Sequence, residues 1–175
     1  MAKQVKIKTE KDVTLPAHKT EGAAGLDLCA NFNIPPLIKE GIVPIRNGNS
    51  IIIKPMGRVL ISTGIKVAIP KGYELQIRPR SGMALNNGLM LTNSPGTIDS
   101  DYRGDIGIII TNVSNKNVAI NHGDRIAQAV LSKVETISWK VVEELDETDR
   151  GEGGFGSTGI NENDNNDTIE TTQTT

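Results

Sequence analysis

The chain has 175 residues, 37% of them apolar, and its 19 Lys and Arg against 21 Asp and Glu leave a formal net charge of −2. It therefore has room for one compact domain but not two, and lacks the dense basic footprint that grips duplex nucleic acid. Twenty-two Ile, 11 Val and 15 Thr against 11 Leu argue against a helical bundle, and one cysteine (Cys29) with two separated histidines (His18, His122) supplies no intrachain disulfide, zinc spacing or serine–histidine relay.

From the N-terminus, Lys3, Lys6 and Lys8 interrupt any apolar run, so no signal peptide is read there. No apolar stretch approaches a membrane span, and the chain is expected to be soluble, intracellular and cytoplasmic. Short alternating or continuously apolar segments then recur at close intervals, as in a many-stranded sandwich or barrel. The expected strands are Val5–Lys8, Leu26–Ala30, Ile51–Lys54, Arg58–Ser62, Ile65–Ile69, Glu74–Arg78, Ile106–Asn112, Val118–Ile120 and Ile126–Val134. Pro70–Lys71–Gly72, Asn47–Gly48–Asn49 and Asn121–His122–Gly123 turn the chain between them. The stretch Leu37–Ser50 reads either as a loop or as an extra hairpin turning at Asn47–Gly48–Asn49. Only Ser81–Asn87, which follows a proline and stops at Gly88, invites a short helix. Composition changes near the end: the last 27 residues carry one Arg against six acids, leaving +3 on the rest. Residues 160–175 are too polar to offset the entropy of ordering them, and disorder is expected there.

Five segments could carry chemistry. In Ala24–Gly25–Leu26–Asp27–Leu28, a carboxylate lies between leucines and could pair with an arginine or touch a hydrated Mg²⁺. Arg80–Ser81–Gly82 lies where a strand gives way to the short helix, where unpaired N–H groups suit a phosphate; Ser81 could equally be a cap, which leaves Arg80 unexplained. In Asn93–Gly107 (NSPGTIDSDYRGDIG), Pro95 and Gly96 turn the chain, Ile98 faces inward, and Asp99 begins an acidic patch with Asp101 and Asp105. Asp99 could take a proton from water poised against phosphorus, or Asp99 and Asp101 could make side-chain turns while Tyr102 packs. In Gly123–Gln128 (GDRIAQ), Gln128 falls two residues past Ile126 on the same face and needs a partner, whether phosphate or backbone. Last, Arg150–Gly159 (RGEGGFGSTG) surrounds Phe155 with five glycines and two hydroxyls. Such backbone can present several N–H groups to a phosphate, although it lacks a Walker lysine and could also be a flexible linker.

In this order, AAGLDLCA, RPRSGMA, NSPGTIDSDYRGD, GDRIAQ and RGEGGFGSTG resemble the five motifs of the trimeric dUTP pyrophosphatase (dUTPase) family, over roughly Gly22 to Gly159. Five ordered matches are far more specific than one short pattern. The resemblance implies an all-β, jelly-roll-like barrel or sandwich with one short helix, forming a homotrimer whose sites are each built from all three chains. It divides the chain into a β domain over 1–148, a glycine-rich arm over 149–160 that closes on a neighbouring site, and the polar tail over 161–175. The implied reaction is hydrolysis of dUTP to dUMP and pyrophosphate with Mg²⁺ on the triphosphate, which keeps uracil out of DNA and supplies dUMP for dTMP synthesis.

Residue by residue, Asp99 matches the carboxylate that activates water for attack on the α-phosphorus. Tyr102 matches the ring on which deoxyribose stacks, leaving no space for a 2′-hydroxyl. Asn93 and the hairpin through Gly96, Thr97 and Ile98 to Gly107 match the uracil slot, whose donor and acceptor order rejects cytosine. Arg80, Ser81, Gly82 and Gln128 match phosphate contacts, and Asp27 matches the acidic residue that reaches the metal through water. In the arm, Phe155 matches the aromatic that covers uracil, while Arg150, Gly156, Ser157 and Thr158 match the γ-phosphate clamp. The chain departs from the pattern in a longer Leu37–Met56 segment and in the acidic tail. The nearest rival, a dCTP deaminase, shares the fold but uses a glutamate at cytosine C4, where this hairpin has Asp99 followed by Tyr102. A rival from another class is a non-catalytic module of the same fold that signals through the long segment or the tail.

Overall fold

The computed structural model describes residues 3–38, 45–47 and 49–155. Contacts group the chain into two units, Met1–Thr136 and Ile137–Thr175. All strands among the described residues belong to the first: β1 (Lys6–Thr9), β2 (Leu26–Cys29), β3 (Leu37–Ile38), β4 (Ile45–Asn47), β5 (Ser50–Ile53), β6 (Arg58–Ser62), β7 (Ile65–Ala68), β8 (Tyr73–Arg78), β9 (Leu89–Leu91), β10 (Gly96–Ile98), β11 (Gly107–Asn112), β12 (Val118–Asn121) and β13 (Arg125–Lys133). No helix among the described residues is long and apolar enough to cross a membrane.

Four antiparallel sheets result, in the orders β1-β7, β10-β8-β13-β2, β3-β6-β11-β9 and β12-β5-β4. Period-two alternation explains their packing. In β11, Ile108 and Ile110 point inward between Gly107, Ile109 and Thr111, and β6 answers with Val59 and Ile61. Leu75 and Ile77 of β8, Ile51 and Ile53 of β5, Ile65 of β7 and Ile120 of β12 join the same buried cluster. Each such side chain contributes about 1.5–3 kcal/mol by leaving water, so the isoleucine excess is what closes the sandwich.

The nine expected strands are all present, with ends shifted by a residue at most. The hairpin alternative for 37–50 is the one adopted: β4 and β5 pair with Asn47 opposite Ser50. Three short strands were not anticipated. β3 adds an edge to β6 with Leu37 opposite Leu60. β9 pairs with β11. β10 begins at Gly96, so this residue opens a strand beside β8 instead of turning the chain. The expected short helix spans residues 81–87, with a single π turn over Met83–Asn87. Gly88 ends it at φ 63°, a left-handed conformation that favours glycine. Ser81 makes no capping hydrogen bond.

Candidate active site

Two concavities in the first unit gather most of the sequence-derived candidates. The first, of about 490 Å³, is lined by Thr97, Ile98, Asp99, Tyr102, Asp105 and Gly107 together with apolar Ile34, Pro35, Leu37, Leu60 and Ile109. That size suits a small organic ligand. The loop bearing Asp99 and Tyr102 is tied down by main-chain carbonyls that accept from both backbone and side-chain donors. Tyr102 N–H donates to the Asp99 carbonyl (3.2 Å), and at the loop's far end Ile106 N–H donates to the Ile65 carbonyl (2.8 Å). Arg103 Nη1 donates to the carbonyls of Ser100 (2.7 Å) and Tyr102 (2.8 Å). The Tyr102 hydroxyl donates to the Asp105 carbonyl (2.9 Å). The turn is thus closed by the Tyr102 N–H and by the Arg103 and Tyr102 side chains, and not by the side-chain hydrogen bonds from Asp99 and Asp101 that were one alternative. Asp99 is exposed, and its carboxylate has no hydrogen-bond or ion-pair partner among the described residues. Ile98 packs against the core as expected, although not fully buried. A Cβ at Gly107 would stand 2.6 Å from Leu60 Cδ1, so the end of the Leu60 side chain would have to shift. Asn93 lies exposed in an adjoining depression with Arg58 and Thr92, sharing Leu37, Leu60 and Ile109 with the first.

The second concavity is lined by Lys19, Asp27, Arg80, Ser81, Gly82, Arg125 and Gln128, among others. β2 and β13 lie side by side here, with Asp27 opposite Gln128, and Arg78 of β8 flanks Gln128 on its other side. Asp27 Oδ1 pairs with Arg80 Nε and Oδ2 with Arg125 Nη1, each at 3.0 Å. Arg80 Nη1 also donates to the Arg125 carbonyl (3.0 Å). Asp27 is 14% exposed, Arg80 26% and Arg125 46%, so the pair is fixed at its base and open at its rim. Three cations around one carboxylate leave a positive surface suited to a polyanion. Gln128 Nε2 donates to the Pro79 carbonyl (2.8 Å), the backbone partner rather than a core contact. The expected shared face with Ile126 fails because a bulge between Arg125 and Ala127 buries Ile126 and Ala127 together and resets the alternation. Gly25 makes room for Gln128, whose Cδ would lie 3.1 Å from a Cβ there.

Asp27 forms no site for a directly held, resident ion, which is a separate matter from a contact through water with an ion carried by a substrate. Both carboxylate oxygens are taken by guanidinium groups, and no cluster of three or more His, Cys, Asp or Glu occurs among the described residues. The ion-pair alternative is the one adopted. The same carboxylate affects its neighbour: burial first, and then the Asp27 charge, push the Cys29 thiol above its ordinary range.

The second unit supplies Arg150 and Phe155. Arg150 Nε donates to the Gly153 carbonyl (2.8 Å), folding the glycine-rich stretch into a local turn, and Phe155 is fully exposed. Gly156, Ser157 and Thr158, with the expected disordered tail, lie outside the described residues. Asp99 and Tyr102 thus share one concavity, Arg80, Ser81, Gly82 and Gln128 share another, and neither concavity contains both groups. Sequence reasoning missed Arg125, Lys19, Arg103 and Gly25. A basic residue inside GDRIAQ was the available signal for Arg125; contacts made only by folding left none for Gly25.

A family model described as dUTPase matches residues 45–159. The deoxyuridine 5′-triphosphate nucleotidohydrolase of Fusobacterium nucleatum is 50% identical over 143 residues, 82% of this chain and 88% of that protein. Among solved structures, a single-site variant of the Staphylococcus bacteriophage 80alpha dUTPase with dUpNHpp is similar at TM-score 0.73 and 25% identity, over 91% of this chain and all of the other. A variant of the phage phi11 dUTPase, described as revealing the coordination of a structural Mg(II) ion, is similar in fold at TM-score 0.66 and 22% identity, over 83% of this chain and all of the other.

Proposed function

The chain belongs to the dUTPase family and hydrolyses dUTP to dUMP and pyrophosphate, and from that premise we propose how its residues divide the work. Asp99 is the general base. Its carboxylate accepts a proton from water as the water oxygen bonds to the α-phosphorus, and the bond from that phosphorus to the bridging oxygen breaks. Pyrophosphate leaves with the bonding electrons. Arg80, Ser81, Gly82 and Gln128 hold the phosphate chain, and their positive surroundings offset charge that develops on the leaving group. Tyr102 stacks under the deoxyribose, while Asn93 and the hairpin from Gly96 through Thr97 and Ile98 to Gly107 hold the uracil. The observation that carries this reading is the unpaired, accessible Asp99 carboxylate beside Tyr102 in one nucleoside-sized concavity.

Because base and phosphate clamp line separate concavities of one chain, a complete site joins the hairpin of one copy to the clamp of another, which supports a homotrimer with shared sites. Arg150 and Phe155, with Gly156, Ser157 and Thr158, close that site as an arm and exclude bulk water. A Mg²⁺ bound with the substrate would be held mainly by its phosphates and would lower the charge of the incoming triphosphate. The protein is read as cytoplasmic. The test is turnover of dUTP, dCTP, dTTP and UTP side by side. Pyrophosphate release confined to dUTP is expected, whereas ammonia release from dCTP would assign the site to deamination.

A further inference from the structure

Gly104 is glycine for want of space, not for backbone freedom, because its φ lies outside the left-handed range. A methyl group at this position would stand 2.5 Å from Tyr102 Cζ and 2.9 Å from Cε2, and closer still to Oη. The atoms it would meet are the far end of the Tyr102 side chain, so the ring would have to shift to admit it. The Tyr102 ring therefore rests directly on the main chain of residue 104. Its hydroxyl is pinned one residue further on, at the Asp105 carbonyl (2.9 Å). The ring is still 43% exposed and lines the concavity that holds Asp99.

We propose that Gly104 is a positioning residue that sets sugar selectivity: by carrying no side chain, it keeps the Tyr102 ring at the depth that suits a 2′-deoxyribose and leaves no room for a 2′-hydroxyl. The inference rests on the reading of Tyr102 as the sugar platform. An added Cβ drives the ring off its seat and breaks the hydrogen bond to the Asp105 carbonyl. The deoxy substrate then loses a well-fitted surface, while the ribo substrate, already poorly accommodated, loses less. Asp99 is drawn in, because the Tyr102 N–H bond to the Asp99 carbonyl couples the two backbones.

The test is a double-mutant cycle of Gly104→Ala and Tyr102→Ala, scored by kcat/KM for dUTP and for UTP and by melting temperature. Gly104→Ala is expected to lower the dUTP-to-UTP preference about tenfold and to lower the melting temperature. In the Tyr102→Ala background the same change should alter neither quantity, because the obstructing ring is gone. An unchanged preference in Gly104→Ala, with preference lost in Tyr102→Ala, overturns the role of Gly104 and leaves the sugar reading standing. An unchanged preference in Tyr102→Ala overturns both. If Gly104→Ala alone fails to fold, a folded double variant supports the proposal, and a double variant that also fails contradicts it.

Discussion

Asp27 and Arg80, 53 positions apart in the chain, meet through Oδ1 and Nε at 3.0 Å. Since the other carboxylate oxygen holds Arg125, a single acidic side chain sets the direction of two guanidinium groups that line the second concavity. Asp27→Asn keeps the shape and removes the charge. The expected result is a fall of about tenfold in kcat/KM for dUTP, dominated by KM, a modest figure because both arginines are partly solvated. The magnesium concentration that gives half-maximal rate should not move. A sharply increased magnesium requirement in steady-state assays would return Asp27 to the metal.

Asn112 is fully buried at the end of β11 with its amide fully engaged. Nδ2 donates to the carbonyls of Ile53 (2.8 Å) and Lys116 (2.7 Å), and Oδ1 accepts from Ser114 N–H (2.9 Å) and hydroxyl (2.7 Å). Asn112→Ala leaves buried partners without a hydrogen bond, and should cost about 3 kcal/mol in urea unfolding. A loss below about 1 kcal/mol would mean that water replaces the amide.

Met56 occupies the third position of the turn Lys54–Pro55–Met56–Gly57, closed by Gly57 N–H to the Lys54 carbonyl (2.8 Å), with φ 60°. That position suits glycine or asparagine, and the Met56 side chain is 67% exposed, so its packing offers little compensation. Met56→Asn should raise stability by about 0.5 kcal/mol, seen as a higher urea midpoint at unchanged slope. A lower midpoint would show that the Met56 side chain has a partner its exposure hides.

The isoleucine-rich periodicity made the long strands legible, because burial on one face writes itself into every second residue. The short strands were harder: β10 starts at Gly96 after Pro95, and three residues give no period to read. The Leu89–Met90–Leu91 sequence of β9 does alternate in burial, but a run of three apolar side chains conceals it. At the site, residue types with chemistry stood out, so Asp99, Tyr102 and Arg80 were singled out. Which of them share a concavity depends on pairings across the sheets. Arg125 escaped because its place at the site lies in what it touches, and a two-residue count from Ile126 misplaced Gln128 because a bulge is silent in sequence.

Burial and the Asp27 charge both disfavour the Cys29 thiolate. The folded state therefore binds the thiol proton more tightly than the unfolded state. Stability from this group is complete below the unfolded thiol value of about 8.5 and is lost as pH rises through the higher folded value. Alkylation of Cys29 by iodoacetamide near that pH should be slower in the folded protein than in urea, and faster in Asp27→Asn than in the unaltered chain. Equal rates in Asp27→Asn and the unaltered chain would remove the Asp27 charge as a cause.

The account turns on a site assembled from the Asp99 of one copy and the Arg80 of another. Asp99→Asn and Arg80→Gln, each nearly inactive alone, should recover about a quarter of normal dUTP turnover when unfolded together in equal amounts and refolded, since random assembly puts both intact groups in that share of sites. If the mixture, verified to contain mixed assemblies, stays as inactive as its parts, base and clamp belong to the same chain and the account is wrong.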